Sequence, residues 1–131
     1  MSTPLSPHAL EVVKQIYDAF GRRDVSKVLS LFSSEIEIVQ SPELPWGGTY
    51  RGHAGAMEFF GKLTTHINST VTIDRFLSAG DAVAVIGWTT GTVNATGASY
   101  HVPIAHILKV REGLATHIQF YIDNPTMLAA L

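Results

Sequence analysis

Hydrophobic positions change their period about halfway along the chain. In the first half they recur three and four residues apart. Leu10, Val13, Tyr17 and Phe20, with Val12 and Ile16 beside them, form the apolar stripe of an amphipathic helix. Ser6 followed by Pro7 supplies an N-cap and a first helical residue, and Gly21 closes the segment. Asp24 is placed to cap a second, shorter helix whose Val28, Leu29, Leu31 and Phe32 face inward. Ile36 to Val39 reads as a strand ended by Ser41-Pro42, and Pro42 to Gly52 as an irregular stretch that holds Trp46. A third helix runs from His53 or Ala54 to about Ile67, with Ala56, Phe59, Phe60 and Leu63 on one side.

In the second half the alternation has a period of two, which predicts strands over Thr70 to Ala79, Ala82 to Val93, Ser99 to Val110 and Ala115 to Ile122. Gly80-Asp81, Asn94 to Gly97 and Glu112-Gly113 mark the turns between them. Asp123 or Asn124 followed by Pro125 starts a terminal helical turn. If Arg111 faces Leu114 across the last turn, Ala105 opposes Phe120, Ile107 opposes Ile118, and Pro103 opposes Ile122. That face is wholly apolar. The other carries His106, Leu108, Val110, His117, Gln119 and Tyr121. Helices first and an antiparallel meander after them make an α+β fold.

Composition narrows the function more than it names it. The 131 residues fit one domain, and a hydrophobic share of 46% against 15% charged residues is that of a chain with a packed core. A net charge of −2 and a pI near 6.3 give no electrostatic footprint for nucleic acid or an anionic membrane. With no cysteine there is no disulfide, thiolate nucleophile or cysteine metal site. No apolar run approaches the roughly 18 residues of a membrane span, and MSTPLSPHAL lacks a charged stretch followed by an apolar one. A cytoplasmic protein is expected.

The order of elements, with AFGRRDVSKVLSLF, GGTYRGHAGAMEFF, GDAVAVIGWTTGT and VPIAHILKVREGLATHIQFYID, resembles the SnoaL-like and ketosteroid-isomerase-related proteins of the nuclear transport factor 2-like superfamily. The resemblance runs from about Leu10 to Leu131. It implies a cone-shaped fold, with N-terminal helices packed in the concave face of a curved, mainly antiparallel sheet and a cavity between the layers. Ketosteroid isomerase uses a carboxylate base, a tyrosine and a protonated aspartic acid. Its tyrosine matches Tyr17, whereas Ser41 stands where the base would be, Ala105 where the acid would be, and Phe60 in place of a neighbouring tyrosine. The resemblance therefore does not carry steroid isomerisation by that route. In the polyketide cyclases the catalytic histidine matches His106, but the catalytic aspartate falls on Phe120. The strand alternation sets His106 on the face opposite Ala105. Either Pro103 introduces a bulge that re-aims it, or His106 lies outside the cavity. The Asp-Arg-Asp set of limonene epoxide hydrolases has no counterpart on the inward positions.

The expected lining is Tyr17, Ser41, Phe59, Phe60, Ala84, Ile86, Trp88, His101, Pro103, Ala105, Phe120 and Ile122, capped by Trp46. An aromatic, nearly uncharged set of this kind suits a small hydrophobic molecule, cyclic or aromatic, and equally suits a closed core. Tyr17 is the candidate to orient a carbonyl, and His101 and His106 are the candidates to move a proton. His106 and His117 lie diagonally on the outer face, a zinc site needs three or four ligands and no third stands nearby, and no metal or organic cofactor is implied. Asp123 either caps the last helix or titrates high against Ile122 and Tyr121, and His53 sits at a helix start. Two functions follow. One is an isomerase, cyclase or hydratase; the other is a non-catalytic binding or assembly module, homodimeric through the outer sheet face.

Overall fold

The computed structural model describes residues 6–131, with side chains from His8 onward. The capping roles of Ser6 and Pro7 lie outside the described side chains. The helices are α1 (Ser6–Gly21), α2 (Val25–Ser30), α3 (Gly52–His66) and α4 (Asn124–Ala130). The strands are β1 (Phe32–Gln40), β2 (Gly48–Arg51), β3 (Ile67–Ala79), β4 (Ala82–Val93), β5 (Ser99–Arg111) and β6 (Leu114–Ile122). They form one curved, unclosed sheet in the order β2-β1-β6-β5-β4-β3. Neighbours are antiparallel except β1 and β6, which run parallel. The helices cover its concave face, so the α+β cone expected from the sequence is the fold observed.

Local chemistry explains the boundaries. Asp24 Oδ1 accepts from the Lys27 amide at 3.1 Å and starts α2, and Asp123 Oδ1 accepts from the Thr126 amide at 3.3 Å and starts α4. Glu112 and Gly113 take φ of 53° and 80°, the two positive values that a tight hairpin turn requires. Phe32 belongs to β1 instead of the second helix, and the stretch read as irregular contains β2. There Tyr50 pairs with Ile38, and the Tyr50 hydroxyl donates to the carbonyls of Trp46 and Gly47 at 3.1 and 3.0 Å. A Cβ at Gly47 would lie 1.9 Å from the Ser41 carbonyl oxygen, so only glycine lets the loop fold back this tightly. Trp46 is 1% exposed as a result.

The last hairpin departs from the expected register. Arg111 does pair with Leu114, and Val110 with Ala115, but Lys109 then pairs with His117. Thr116 is an extra residue, a β-bulge in β6 that shifts the rest of the ladder by one. Phe120 therefore faces His106, Ile118 faces Leu108, and Ile122 faces Ile104. The inward face of β5 is Tyr100, Val102, Ile104, His106, Leu108 and Val110, all buried. The partner strand β4 follows with Val83, Val85 and Thr89 buried. Ala84, Ile86, Trp88, His101, Pro103, Ala105 and Ile107 consequently turn to the outer face, opposite to the expectation. In β6 the expected face is the observed one. Among the described residues no helix is long and apolar enough to cross a membrane.

Candidate functional site

Between helices and sheet lies a cavity of about 160 Å³. Helix α1 presents Tyr17 and Phe20 to it, one turn apart, and α3 presents Phe59, Phe60 and Leu63. From the sheet come Gln40 of β1, Val71 and Ile73 of β3, Thr89 of β4, Ile104 and His106 of β5, and Phe120 and Ile122 of β6. Trp46 and Met127 also line it. The aromatic rings form a continuous wall. Phe20 meets Phe60 edge-on at 5.3 Å, Phe59 stacks on Phe120 at 5.3 Å, and Phe120 meets His106 edge-on at 4.6 Å.

Tyr17 and His106 meet inside this wall. The Tyr17 hydroxyl lies 2.6 Å from His106 Nδ1, with both side chains buried. Burial pushes the Tyr17 phenol well above the ordinary tyrosine range and pulls the His106 imidazole down to about 3. Both groups are accordingly neutral at pH 7. Two arrangements of the shared proton fit this distance. In one the tyrosine donates to Nδ1 and Nε2 carries the ring proton; in the other Nδ1–H donates to the phenol oxygen, leaving the phenol proton and the Nε2 lone pair for a ligand. A neutral pair can therefore offer a donor and an acceptor together.

Of the residues singled out in the sequence, Tyr17, Trp46, Phe59, Phe60, His106, Phe120 and Ile122 come together around the cavity. Ile86, Trp88, His101, Pro103 and Ala105 do not, because the Thr116 bulge turns them outward. His101 is exposed, stacked on Trp88 at 4.1 Å with an interplanar angle of 5°, and its Nδ1 lies 3.1 Å from the Thr90 hydroxyl. Ser41 lies one residue past the inward position at the end of β1, half-buried beside Val39 and Tyr121. The inward position is Gln40, 4% exposed, whose side-chain amide donates to the Phe120 carbonyl at 3.3 Å. His117 sits on the outer side with Nδ1 3.2 Å from Glu37, and so does not share a face with His106. Among the described residues no group of three or more histidine, cysteine, aspartate or glutamate side chains converges as metal ligands would. Asp123 caps α4, and His53 Nε2 lies 2.9 Å from the Phe32 carbonyl.

Gln40 was within reach of the sequence, since Ile36, Ile38 and Gln40 alternate. Arg23, Ser69 and Thr89 also line the cavity; Ser69 alternates with Ile67 and Val71, and Thr89 with Val83 and Val85, whereas no periodicity signals Arg23.

A family model described as a SnoaL-like domain matches residues 13–118. No match was found among curated proteins. Among solved structures, an NTF2-like protein from Burkholderia xenovorans LB400 is 27% identical, with 98% of each chain covered and a TM-score of 0.85. TerC, crystallised with polyporic acid, is 25% identical over 94% of this chain and 97% of its own, with a TM-score of 0.86. A protein of ketosteroid isomerase-like fold from Catenulispora acidiphila DSM 44928, in complex with trimethylamine, shares the fold at 24% identity, 92% and 91% coverage and a TM-score of 0.79.

Proposed function

From its place in the SnoaL-like domain family, to which the chain belongs, we propose that the protein binds a small hydrophobic molecule, cyclic or aromatic, and isomerises, cyclises or hydrates it through Tyr17 and His106. The observation that carries this reading is the 2.6 Å contact between Tyr17 and His106 inside a largely apolar cavity. The crystallisation of TerC with polyporic acid supports a small-molecule ligand for this fold.

The chemistry follows from neutrality. An imidazole held down to about 3 resists becoming a cation, so a stepwise proton abstraction is costly. A concerted relay avoids the charge. His106 Nε2 takes a proton from carbon beside the ligand carbonyl while Tyr17 gives its proton to the carbonyl oxygen, and Nδ1–H restores the phenol. The carbonyl compound becomes its enol, with every proton accounted for and no charge left in the cavity. The enol can then protonate elsewhere, as isomerisation requires, or attack a second carbonyl, as cyclisation requires.

Trp46 provides the test, because it lines the cavity while Trp88 lies outside. In a Trp88→Phe protein, titration with cyclic ketones, phenols and quinones should quench Trp46 saturably for one class. A bound ketone should then exchange its α-hydrogens for deuterium, and Tyr17→Phe and His106→Gln should each abolish the exchange. No saturable ligand in the panel would overturn the pocket reading. Binding with no exchange would leave a non-catalytic binding module.

A second reading rests on a different surface. The outer face of β4 and β5 carries Ile86, Trp88, Pro103, Ala105 and Ile107, and beside it Tyr121 is 56% and Leu77 47% exposed. A second copy of the chain, pairing sheet to sheet, would cover this apolar area. Sedimentation should then give a homodimer, and a monomer at high concentration would exclude it.

A further inference from the structure

The cavity is apolar along most of its length and changes character where it meets the end of α1 and the start of β3. Arg23 stands there, the one charged side chain among the described residues of the lining, which at this end also includes Ser69 and Thr89. Its backbone has φ of 59°, a left-handed conformation that glycine or asparagine normally occupies. A long cation at such a position invites a reason for the side chain itself.

The guanidinium is positioned without being neutralised. Nη2 donates to the Ser69 carbonyl at 2.6 Å and to Asn68 Oδ1 at 3.3 Å, which pins the group against β3. Both acceptors are uncharged. The acids flanking it in sequence, Asp18 and Asp24, lie 2.9 and 3.6 Å from Arg22 instead. Among the described residues Nε and Nη1 of Arg23 have no hydrogen-bond partner, so donors remain for a ligand. In the same lining the Ser69 and Thr89 hydroxyls lie 2.5 Å apart, with Thr89 7% exposed. Among the described residues no aspartate or glutamate lines the cavity to repel an anion.

We propose that Arg23 is a specificity-determining residue, selecting ligands whose apolar ring system enters the cavity and whose anionic group, a carboxylate or an ionised phenol or enol, stays at the α1–β3 end. The inference rests on the pocket reading above and adds the charge of the ligand to it. A guanidinium already oriented by two bonds loses little freedom in taking a planar anion, which favours a carboxylate over a neutral carbonyl of the same shape.

Calorimetric titration with 2-naphthoate and 2-acetylnaphthalene tests it, since the two differ in charge and hardly in shape. The wild-type protein should bind the naphthoate about tenfold more tightly, and raising NaCl from about 0.1 M to about 1 M should shrink that margin. Arg23→Gln should bring the ratio to about one by weakening the acid alone, leaving the ketone where it was. Arg23→Gly suits the left-handed backbone, so it keeps the fold if the glutamine variant does not, and it should lose the same preference. Equal binding of the two probes to wild-type protein, or a parallel loss of both in the variants, would overturn the role of Arg23 and leave the pocket standing. Failure of both probes to bind wild-type protein overturns the pocket reading and this inference with it.

Discussion

Strand β5 carries two histidines, each set against an aromatic ring, and the sheet gives them opposite fates. His106 is 6% exposed, bonded to Tyr17 at 2.6 Å and edge-on to Phe120. His101 lies flat on Trp88 at 4.1 Å in contact with solvent. Five residues apart on a strand, they must point to opposite faces. Inside, desolvation decides the protonation state and the ring is neutral at pH 7. The same residue type becomes a candidate proton mover or a surface residue according to the face it occupies, and Thr116 decides the face.

Deleting Thr116 breaks the comparison most directly. One-to-one pairing from the Glu112-Gly113 turn would force either β5 or β6 to present its outer residues to the helices. Ile104, His106 and Leu108, or Ile118 and Phe120, would leave the core together, at a cost comparable with the roughly 5–15 kcal/mol that holds a domain folded. Circular dichroism should show no cooperative melt. Thr116→Ala, which keeps the bulge and loses a 3.4 Å bond to the Lys109 carbonyl, should cost less than about 1 kcal/mol. A deletion that still melts cooperatively near the wild-type temperature would overturn this account.

Acid sharpens the comparison next. His106 takes up its proton near pH 6.5 when unfolded but only near 3 when folded, so between these values the unfolded chain binds more protons. Stability present above pH 6.5 is lost as pH falls towards 3, at up to about 1.4 kcal/mol per unit and on the order of 5 kcal/mol in all. Denaturant titrations should show this slope flattening in His106→Gln and persisting in His101→Gln. Tyr17 acts at the other end. Its raised value leaves stability intact below pH 10 and erodes it above, and Tyr17→Phe should remove that alkaline loss.

Most of the architecture was legible because it rests on local chemistry. Asp24 and Asp123 cap the helices that their positions predict, and Glu112-Gly113 makes the turn that its dipeptide predicts. The site was half legible. Tyr17, Phe59 and Phe60 follow from helical spacing, and Phe120 and Ile122 from a β6 alternation counted on the correct side of the bulge. Trp88, His101, Pro103 and Ala105 were assigned to the wrong face because a bulge adds one residue without a glycine or proline to announce it. Thr116 looks like any strand threonine. Arg23 was hidden for another reason: its place at the cavity depends on the α1–β3 contact, which joins residues 46 apart in the chain.

Tyr17→Phe gives an intermediate effect. It keeps the ring against Phe20 and removes the hydroxyl from His106 Nδ1, leaving a buried nitrogen without its partner. That costs about 1–3 kcal/mol. The double variant Tyr17→Phe/His106→Leu should lose less than the sum of the single changes, because no polar atom is then stranded. Additive losses in thermal melts would mean that the two groups are independent despite their proximity.

The smallest effect is expected outside. His101→Ala removes a ring stacked on Trp88 and a 3.1 Å contact with Thr90, both exposed to water, so monomer stability should change by only about 0.5 kcal/mol. Ligand affinity should not change, since the sheet lies between His101 and the cavity. If the outer face pairs with a second copy, however, the same substitution uncovers Trp88 at that interface. The dimer dissociation constant should then rise several-fold while the isolated cavity binds as before. Sedimentation and ligand titration on one protein separate the two faces: a His101→Ala variant that weakens ligand binding without changing association would place the histidine's role inside, against the register found here.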